Sequence, residues 1–324
     1  MKRRTFITLL GGAAAAWPLA ARAQQPERMR RIGVLMNTVS DDAEGQARLA
    51  AFHQGLQQLG WTVGHNVRID YRWGSDDAER GRRGAAELVA LGSDVILASG
   101  TPSAAALQQS TRTVPVVFVN VADPVGAGFV ESLAHPAGNI TGFGLFEFGV
   151  SAKWLELLKE VAPGVTRVAV LRDLTIGIAQ LAAIQAVAPA LGVELTPIGI
   201  RDAGEFERAV TAFARGSTDG MIVTQSTLAL VHRELIATVA ARHRLPAVYA
   251  FRYMVTAGGL LSYGPNSVDP SRRAAGYVDR ILKGEKPADL PVQAPTKHEL
   301  VINLKTARRS ASTFPRRCSL APTR

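Results

Sequence analysis

Asp94-Val95-Ile96-Leu97-Ala98-Ser99-Gly100-Thr101-Pro102-Ser103 is the stretch whose reading decides the fold. Asp94 to Ala98 is a short continuous apolar run and reads as a strand buried on both faces. Pro102 to Gln109 reads as a helix, with proline in its first turn, where the missing N–H costs nothing. A buried strand feeding directly into a helix is half of a βαβ unit, and such units build parallel sheets covered by helices. The alternation extends in both directions. Ile32 to Met36 is a strand candidate, and Leu49, Phe52, Leu56 and Leu59 then put an apolar stripe on a helix that Gly60 ends. Val67 to Tyr71 alternates like a strand, Ala78 to Leu91 is helical, and Val116 to Val119 is a further strand.

After a Gly-rich, aromatic stretch from Gly138 to Gly149 the pattern starts again. Helix 151–162, strand Val168 to Leu171, helix 176–191, strand Val193 to Ile200, helix 203–215, strand Met221 to Val223, helix 227–243 and strand Ala247 to Ala250 follow in turn. Strand Gly259 to Tyr263, helix 270–283, a stretch punctuated by Pro287, Pro291 and Pro295, and strand Glu299 to Asn303 close the series. The expected fold class is α/β, with two similar doubly wound parallel-sheet lobes joined by a hinge. The first lobe is expected to hold residues 30–143 plus about 256–286, and the second 144–255 plus about 287–306. A chain of 324 residues suits two such domains at about 150 residues each. With 47% hydrophobic and 20% charged residues it has a globular composition.

The net charge of +10 is concentrated at the ends. Lys2, Arg3, Arg4 and Arg22 precede residue 24 without an acid, and Arg308, Arg309, Arg316, Arg317 and Arg324 follow residue 306 without one. The body between is close to neutral, which argues against a nucleic-acid partner. Residues 1–23 read as an export signal cleaved after about Ala23: a basic start, an apolar stretch from Phe6 to Ala16, and Ala21-Arg22-Ala23 as the cleavage pattern. That stretch is too short for a permanent membrane anchor. Arg3-Arg4-Thr5-Phe6-Ile7 resembles the twin-arginine signal, the alternative being an ordinary secretory signal with adjacent arginines. The expected location of the mature chain is the periplasm. The single cysteine, Cys318, cannot close an intramolecular disulfide.

Four segments carry a resemblance: Asp123-Pro124-Val125-Gly126-Ala127-Gly128; Leu155 to Val165 (LELLKEVAPGV); Ala257 to Pro265 (AGGLLSYGP); and Arg273 to Gly284 (RAAGYVDRILKG) with its continuation through Pro287-Ala288-Asp289-Leu290-Pro291-Val292 to Val301-Ile302-Asn303-Leu304-Lys305-Thr306. Over about residues 30–306 the chain resembles the periplasmic substrate-binding proteins of ATP-driven (ABC-type) importers, in the large family that includes tryptophan- and tyrosine-type binding components. The resemblance implies a fold like the type I periplasmic-binding proteins, closing on a small-molecule solute and presenting it to a membrane permease, with no catalysis and no cofactor. An amino acid or small carboxylate is the expected solute. The alternatives are a two-domain α/β enzyme using the same cleft and a ligand-sensing regulatory domain, though no helix-turn-helix precedes the first lobe.

Ligands of such sheets bind beyond the carboxyl ends of the strands, so the loops there supply the candidate residues. Ser99, Gly100 and Thr101 open a helix, where unpaired N–H groups and the helix dipole favour a carboxylate; a plain helix cap by Ser99 or Thr101 accounts for the same residues. Asn120 and Asp123 follow the next strand, and Asn37, Thr38 and Ser40 follow the first, although capped turns explain both groups equally. From the second lobe come Asp173, preferred over Glu147 as the acid for an ammonium group, then Gln225, Ser226 and Thr227, and the aromatics Tyr249, Phe251 and Tyr253. Enzyme signatures fail: Gly126-x-Gly128 meets Glu131 where a dinucleotide turn needs glycine, and the phosphate loop and nucleophile elbow are absent. The six histidines show no pair at metal-binding spacing, so no metal is implied. Beyond Thr306 the family typically continues as a short helix with acidic residues, whereas here residues 307–324 form a basic tail without amphipathic period. A frameshift near Ala307 would explain it.

Overall fold

A computed structural model describes residues 29–75, 77–145, 149–173 and 178–309. The first lobe is built from β1 (Arg30–Met36), α1 (Ala43–Gln58), β2 (Val67–Trp73), α2 (Ala78–Ala90), β3 (Val95–Ser99), α3 (Thr101–Ser110), β4 (Val116–Val121) and β5 (Ile140–Gly144). Its sheet has the order β2-β1-β3-β4-β5 and is parallel throughout. Strand side chains alternate between two apolar layers, as the period of two requires. Ile32, Val34, Val95, Leu97, Val117 and Val119 face the layer that holds Phe52 and Leu56 of α1. Leu35, Ile96, Ala98, Val116 and Phe118 face the opposite layer, against Leu88 of α2 and Leu107 of α3.

The second lobe runs α4 (Gly149–Val161), β6 (Arg167–Asp173), α5 (Ile178–Val187), β7 (Glu194–Ile200), α6 (Ala203–Phe213), β8 (Asp219–Val223), α7 (Thr227–Val231), α8 (Arg233–Arg242), β9 (Ala247–Tyr249), α9 (Arg252–Thr256) and β10 (Leu261–Pro265). The chain then returns to the first lobe as α10 (Asp269–Leu282). After a short 3-10 turn at Pro287–Asp289 it comes back to the second lobe as β11 (His298–Ile302) and α11 (Leu304–Arg309). The second sheet has the order β11-β10-β9-β8-β6-β7, parallel except for the antiparallel β10/β11 pair. The expected helix 227–243 is two helices meeting at His232. No helix among the described residues is long and apolar enough to cross a membrane.

The polypeptide therefore passes between the sheets three times: between β5 and α4, between β10 and α10, and between Gln293 and β11. Two assignments of the sequence reading change. Leu261–Pro265, expected in the first lobe, pairs with β9 and β11 in the second. Residues 287–293, expected in the second lobe, lie on the first: the Leu290 carbonyl accepts from Thr141 Oγ1 at 2.5 Å, and Gln293 N donates to Gly142 O at 2.9 Å. The stretch Ile140–Gly144, read only as Gly-rich, is strand β5. At the other end, α11 continues past the expected break at 307, with Ala307 buried in the core of the second lobe; residues 310–324 lie outside the described residues.

Helix α10 is the element that ties the second crossing to the first lobe. It lies against α1, where a Cβ added to Gly55 would stand 2.7 Å from both Ala275 Cβ and the Arg272 carbonyl oxygen. Only glycine allows that approach without displacement. Gly55→Val is expected to overpack the contact and cost about 2 kcal/mol, read as a lower denaturant midpoint at unchanged slope; an unchanged midpoint would mean that α10 yields freely.

At the sheet edge, Arg31 Nε donates to Asp70 Oδ2 at 2.7 Å and Arg68 reaches Asp70 Oδ1 at 3.3 Å. Burial opposes the Asp70 charge, but the two arginines outweigh it and hold its carboxyl below the ordinary carboxylate range. Because the folded pKa is the lower one, the stabilisation is present above the unfolded value of about 3.9 and is lost as pH falls through the folded value. Asp70→Asn should thus lower the unfolding free energy by about 1 kcal/mol near neutrality, and urea titrations of the two proteins should converge once the pH has fallen below the folded pKa.

Candidate functional site

The carboxyl ends of β1, β3 and β4 face those of β8 and β9 across a narrow cleft with about 30 Å³ of accessible space. Its walls include Asn37, Gly100, Thr101 and Asn120 from the first lobe and Gln225, Ser226, Thr227 and Phe251 from the second. These are sequence candidates that the fold brings together.

Local geometry explains each placement. Gly100 is the residue preceding α3 and has φ +82, a left-handed conformation. A Cβ there would sit 2.4 Å from Asn37 Nδ2, so glycine is needed for the Asn37 amide to lie against the loop. No side chain caps α3. Ser99 instead donates from Oγ to Asn37 Oδ1 at 3.3 Å, which removes the capping alternative and puts Ser99 behind Asn37, 1% exposed. The positive end of α3 is thus left without a side-chain cap.

Asn120 also has a left-handed backbone, φ +58, where the pairing of β4 with β5 shifts register between Val119 and Val121. Such an irregularity re-aims a side chain, and at a non-glycine residue it is strain of the kind found at binding sites. Asn120 Nδ2 donates to the Ser267 carbonyl at 3.0 Å, while its buried Oδ1 has no hydrogen-bond partner.

Other candidates serve elsewhere. Tyr249 is 1% exposed inside the second core rather than in the cleft, packed against Gly259, and burial raises its hydroxyl pKa. Asp123 turns onto its own loop, accepting from Gly126 N at 2.8 Å. Ser40 is exposed, its carbonyl accepting from Gln46 Nε2. Thr38 is buried against Gly45. Ser226 lines the cleft, but its Oγ is engaged as the cap of α7, accepting from Ala229 N at 2.9 Å. Asp173 ends β6; its side chain, like the whole of Glu147, lies outside the described residues.

The cleft also contains groups that sequence reasoning missed. Arg48 lies on α1 and is 4% exposed; its Nε donates to Glu44 Oε1 at 3.1 Å, and Glu44 in turn accepts from Ser267 Oγ at 2.6 Å. The signal for Arg48 was its place one turn before Phe52, on the buried side of the helix. Ala122, Leu145, Leu230 and Ser267 complete the lining that went unread. Phe251 and Tyr253 stack with ring centroids 5.2 Å apart and planes 19° from parallel. Burial pushes the Tyr253 hydroxyl well above its ordinary pKa, so it stays neutral.

Among the described residues, two contacts cross the cleft directly. Asn37 Nδ2 donates to Thr227 Oγ1 at 3.1 Å. Asp42, whose Oδ1 caps α1 through Gly45 N, pairs with Arg233 across the gap, Oδ2 to Nη1 2.6 Å, with both side chains largely buried. Removing one partner of such a pair costs more than in an exposed one, because the other charge is left buried and uncompensated. Among the described residues no group of three metal-ligating side chains occurs.

A cleft between two α/β lobes, lined by strand-end loops and bridged when shut, defines a bilobal solute-binding protein. Residues 31–324 match the family of ABC transporter substrate binding proteins, and the chain belongs to that family, which is one of solute receptors for ABC transporters rather than of enzymes. A tyrosine-binding protein of Clostridioides difficile (strain R20291) is 26% identical over 257 residues, 79% of this chain and 74% of that protein. The structure superposes on an ABC domain from Streptococcus pneumoniae in complex with L-Trp with a TM-score of 0.80, at 25% identity and covering 87% of this chain and 94% of that one. It superposes on the ligand-free, open form of a C. difficile substrate-binding protein with adhesive properties with a TM-score of 0.66, at 25% identity and covering 90% and 98%.

The crossing ion pair predicts a measurable shift. Arg233→Gln should move the ligand-free protein toward the open arrangement by roughly tenfold in population, seen as a larger radius of gyration in small-angle scattering and a weaker dependence on salt. Equal scattering profiles for the two proteins would show that the pair does not hold the lobes together.

Proposed function

We propose that this protein is a periplasmic receptor for an amino acid, held by its α-carboxylate and α-ammonium groups on the first lobe and enclosed by the second. The observation that carries the reading is the pairing of opposite demands in one cleft. The uncapped start of α3 at Gly100 and Thr101 favours an anion, and the orphaned Asn120 Oδ1 requires a donor. An α-amino acid carries both groups on one carbon. Asn120 takes the ammonium role in this reading; the side chain of Asp173, preferred from sequence, lies outside the described residues. Leu145, Leu230 and the stacked Phe251 and Tyr253 favour a large apolar or aromatic side chain, in keeping with the tyrosine and tryptophan named for the relatives.

Binding works by closure. Contacts made to both lobes exist only in the shut form, so the solute shifts the population toward the form that the permease receives. The leader at residues 1–23 supports export to the periplasm, and the Arg3-Arg4 pair supports the twin-arginine route.

Isothermal titration of the mature protein tests the site. An L-amino acid from the large apolar or aromatic set should bind and raise the melting temperature by mass action, whereas its carboxamide and its N-acetyl derivative should each bind at least tenfold more weakly. Asn120→Gly, which tolerates the left-handed backbone, should weaken the free amino acid by about tenfold and leave the apo melting temperature close to wild type. Equal affinity for acid and carboxamide would remove the carboxylate assignment.

A further inference from the structure

The three passages between the sheets converge on one small cavity. Leu145 and Val150 flank the first passage, Pro265 ends β10 at the start of the second, Pro295 lies on the third and His298 opens β11 where the third ends, and all five line the same space. It offers about 20 Å³ of accessible room. Trp154 of α4 adds an apolar wall, with its Nε1 committed to the Tyr263 carbonyl at 2.6 Å. The rest of the lining is more polar. Ser151 of α4, Gln180 of α5 and Gln225 all border the cavity. Gln180 is 5% exposed, and its Oε1 is buried without a hydrogen-bond partner.

A buried amide oxygen left unpaired is costly, and native proteins rarely keep one. Whatever satisfies it must be a donor small enough for the space. A water needs about 10–15 Å³ of such room and several polar partners, so one water fits and a larger donor does not. A cation of similar size is disfavoured by charge. No carboxylate stands among the described residues that line the cavity, and an uncompensated buried charge costs far more than a neutral donor. We infer that the cavity is a hydration site built into the hinge, holding one water that donates to Gln180 Oε1 and bonds in turn to Ser151 or His298. The water thereby joins α5 to the chain where the first or the third passage meets the second lobe. A side chain filling the same space would be fixed to one wall, whereas a water can be released and regained as the passages bend. The hinge is thus filled when shut without resisting opening. Gln180 is a positioning residue for that water, whatever solute the cleft takes.

Two measurements on the mature protein test it. A high-resolution crystal structure of the wild type should show one ordered water within hydrogen-bond distance of Gln180 Oε1 and of a Ser151 or His298 side-chain atom. In solution, magnetic relaxation dispersion of the water oxygen counts long-lived internal waters. That count should fall by one in Gln180→Leu, whose apolar side chain leaves the space dry, and should be retained in Gln180→Glu, which keeps an acceptor. A Gln180 amide paired with a protein group, a cavity without ordered water, a water that touches Gln180 but neither Ser151 nor His298, or an unchanged count in Gln180→Leu would each overturn the inference. None of these outcomes touches the reading of the cleft, and the wild-type structure decides the matter even if a variant fails to fold.

Discussion

Ser267 stands where the chain leaves the second sheet for the first, and the first lobe engages both its hydroxyl and its carbonyl. Its hydroxyl donates to Glu44 and its carbonyl accepts from Asn120. Through Glu44 the crossing orients Arg48 in the cleft; through Asn120 it fixes the amide so that Nδ2 is satisfied and Oδ1 is left over. The site is therefore not a set of independent loop residues. One connecting segment positions a cation and an acceptor on the first lobe, and the packing of α10 on α1 at Gly55 holds that segment in place. The strained backbone at Asn120 persists because its surroundings over-determine it.

Asp42 to Arg233 and Asn37 to Thr227 join the two lobes directly. A solute shifts an equilibrium only by its differential affinity for the two states. Contacts that already favour closure reduce the differential the solute must supply, but they also raise the fraction of empty receptor that is shut. The strength of this one ion pair thus sets a balance between sensitivity to the solute and the background of closed, unloaded receptor.

Much of the fold was legible because buried parallel strands are continuous apolar runs and their helices carry clear stripes. What escaped has physical causes. Strand β5 contains Gly142 and Gly144, which lack the side chains that make a strand visible. The lobe of Leu261–Pro265 is decided by long-range pairing with β9 and β11, and no local pattern encodes a partner across the molecule. Of the candidates sought in the loops after strands, Asn37, Gly100, Thr101, Asn120, Gln225 and Phe251 line one cleft. Tyr249 misled because it lies within a strand covered on both faces, where aromatic character signals packing as readily as contact. Arg48 and Gln180 sit on helices, and a polar residue on a buried helical face declares itself only when the facing layer is known.

The three passages between the sheets restrict how the lobes can move. A single connection would permit swivelling about the chain axis as well as opening. Here the first and third passages run side by side as a short ribbon, with Gly144 N donating to Gln293 O and Gln293 N to Gly142 O, and the second is clamped at Ser267. Torsion would shear that ribbon, whereas bending need not break it. Motion is thereby reduced to something like the single degree of freedom of a door, and a transporter waiting at its edge has only two silhouettes to tell apart.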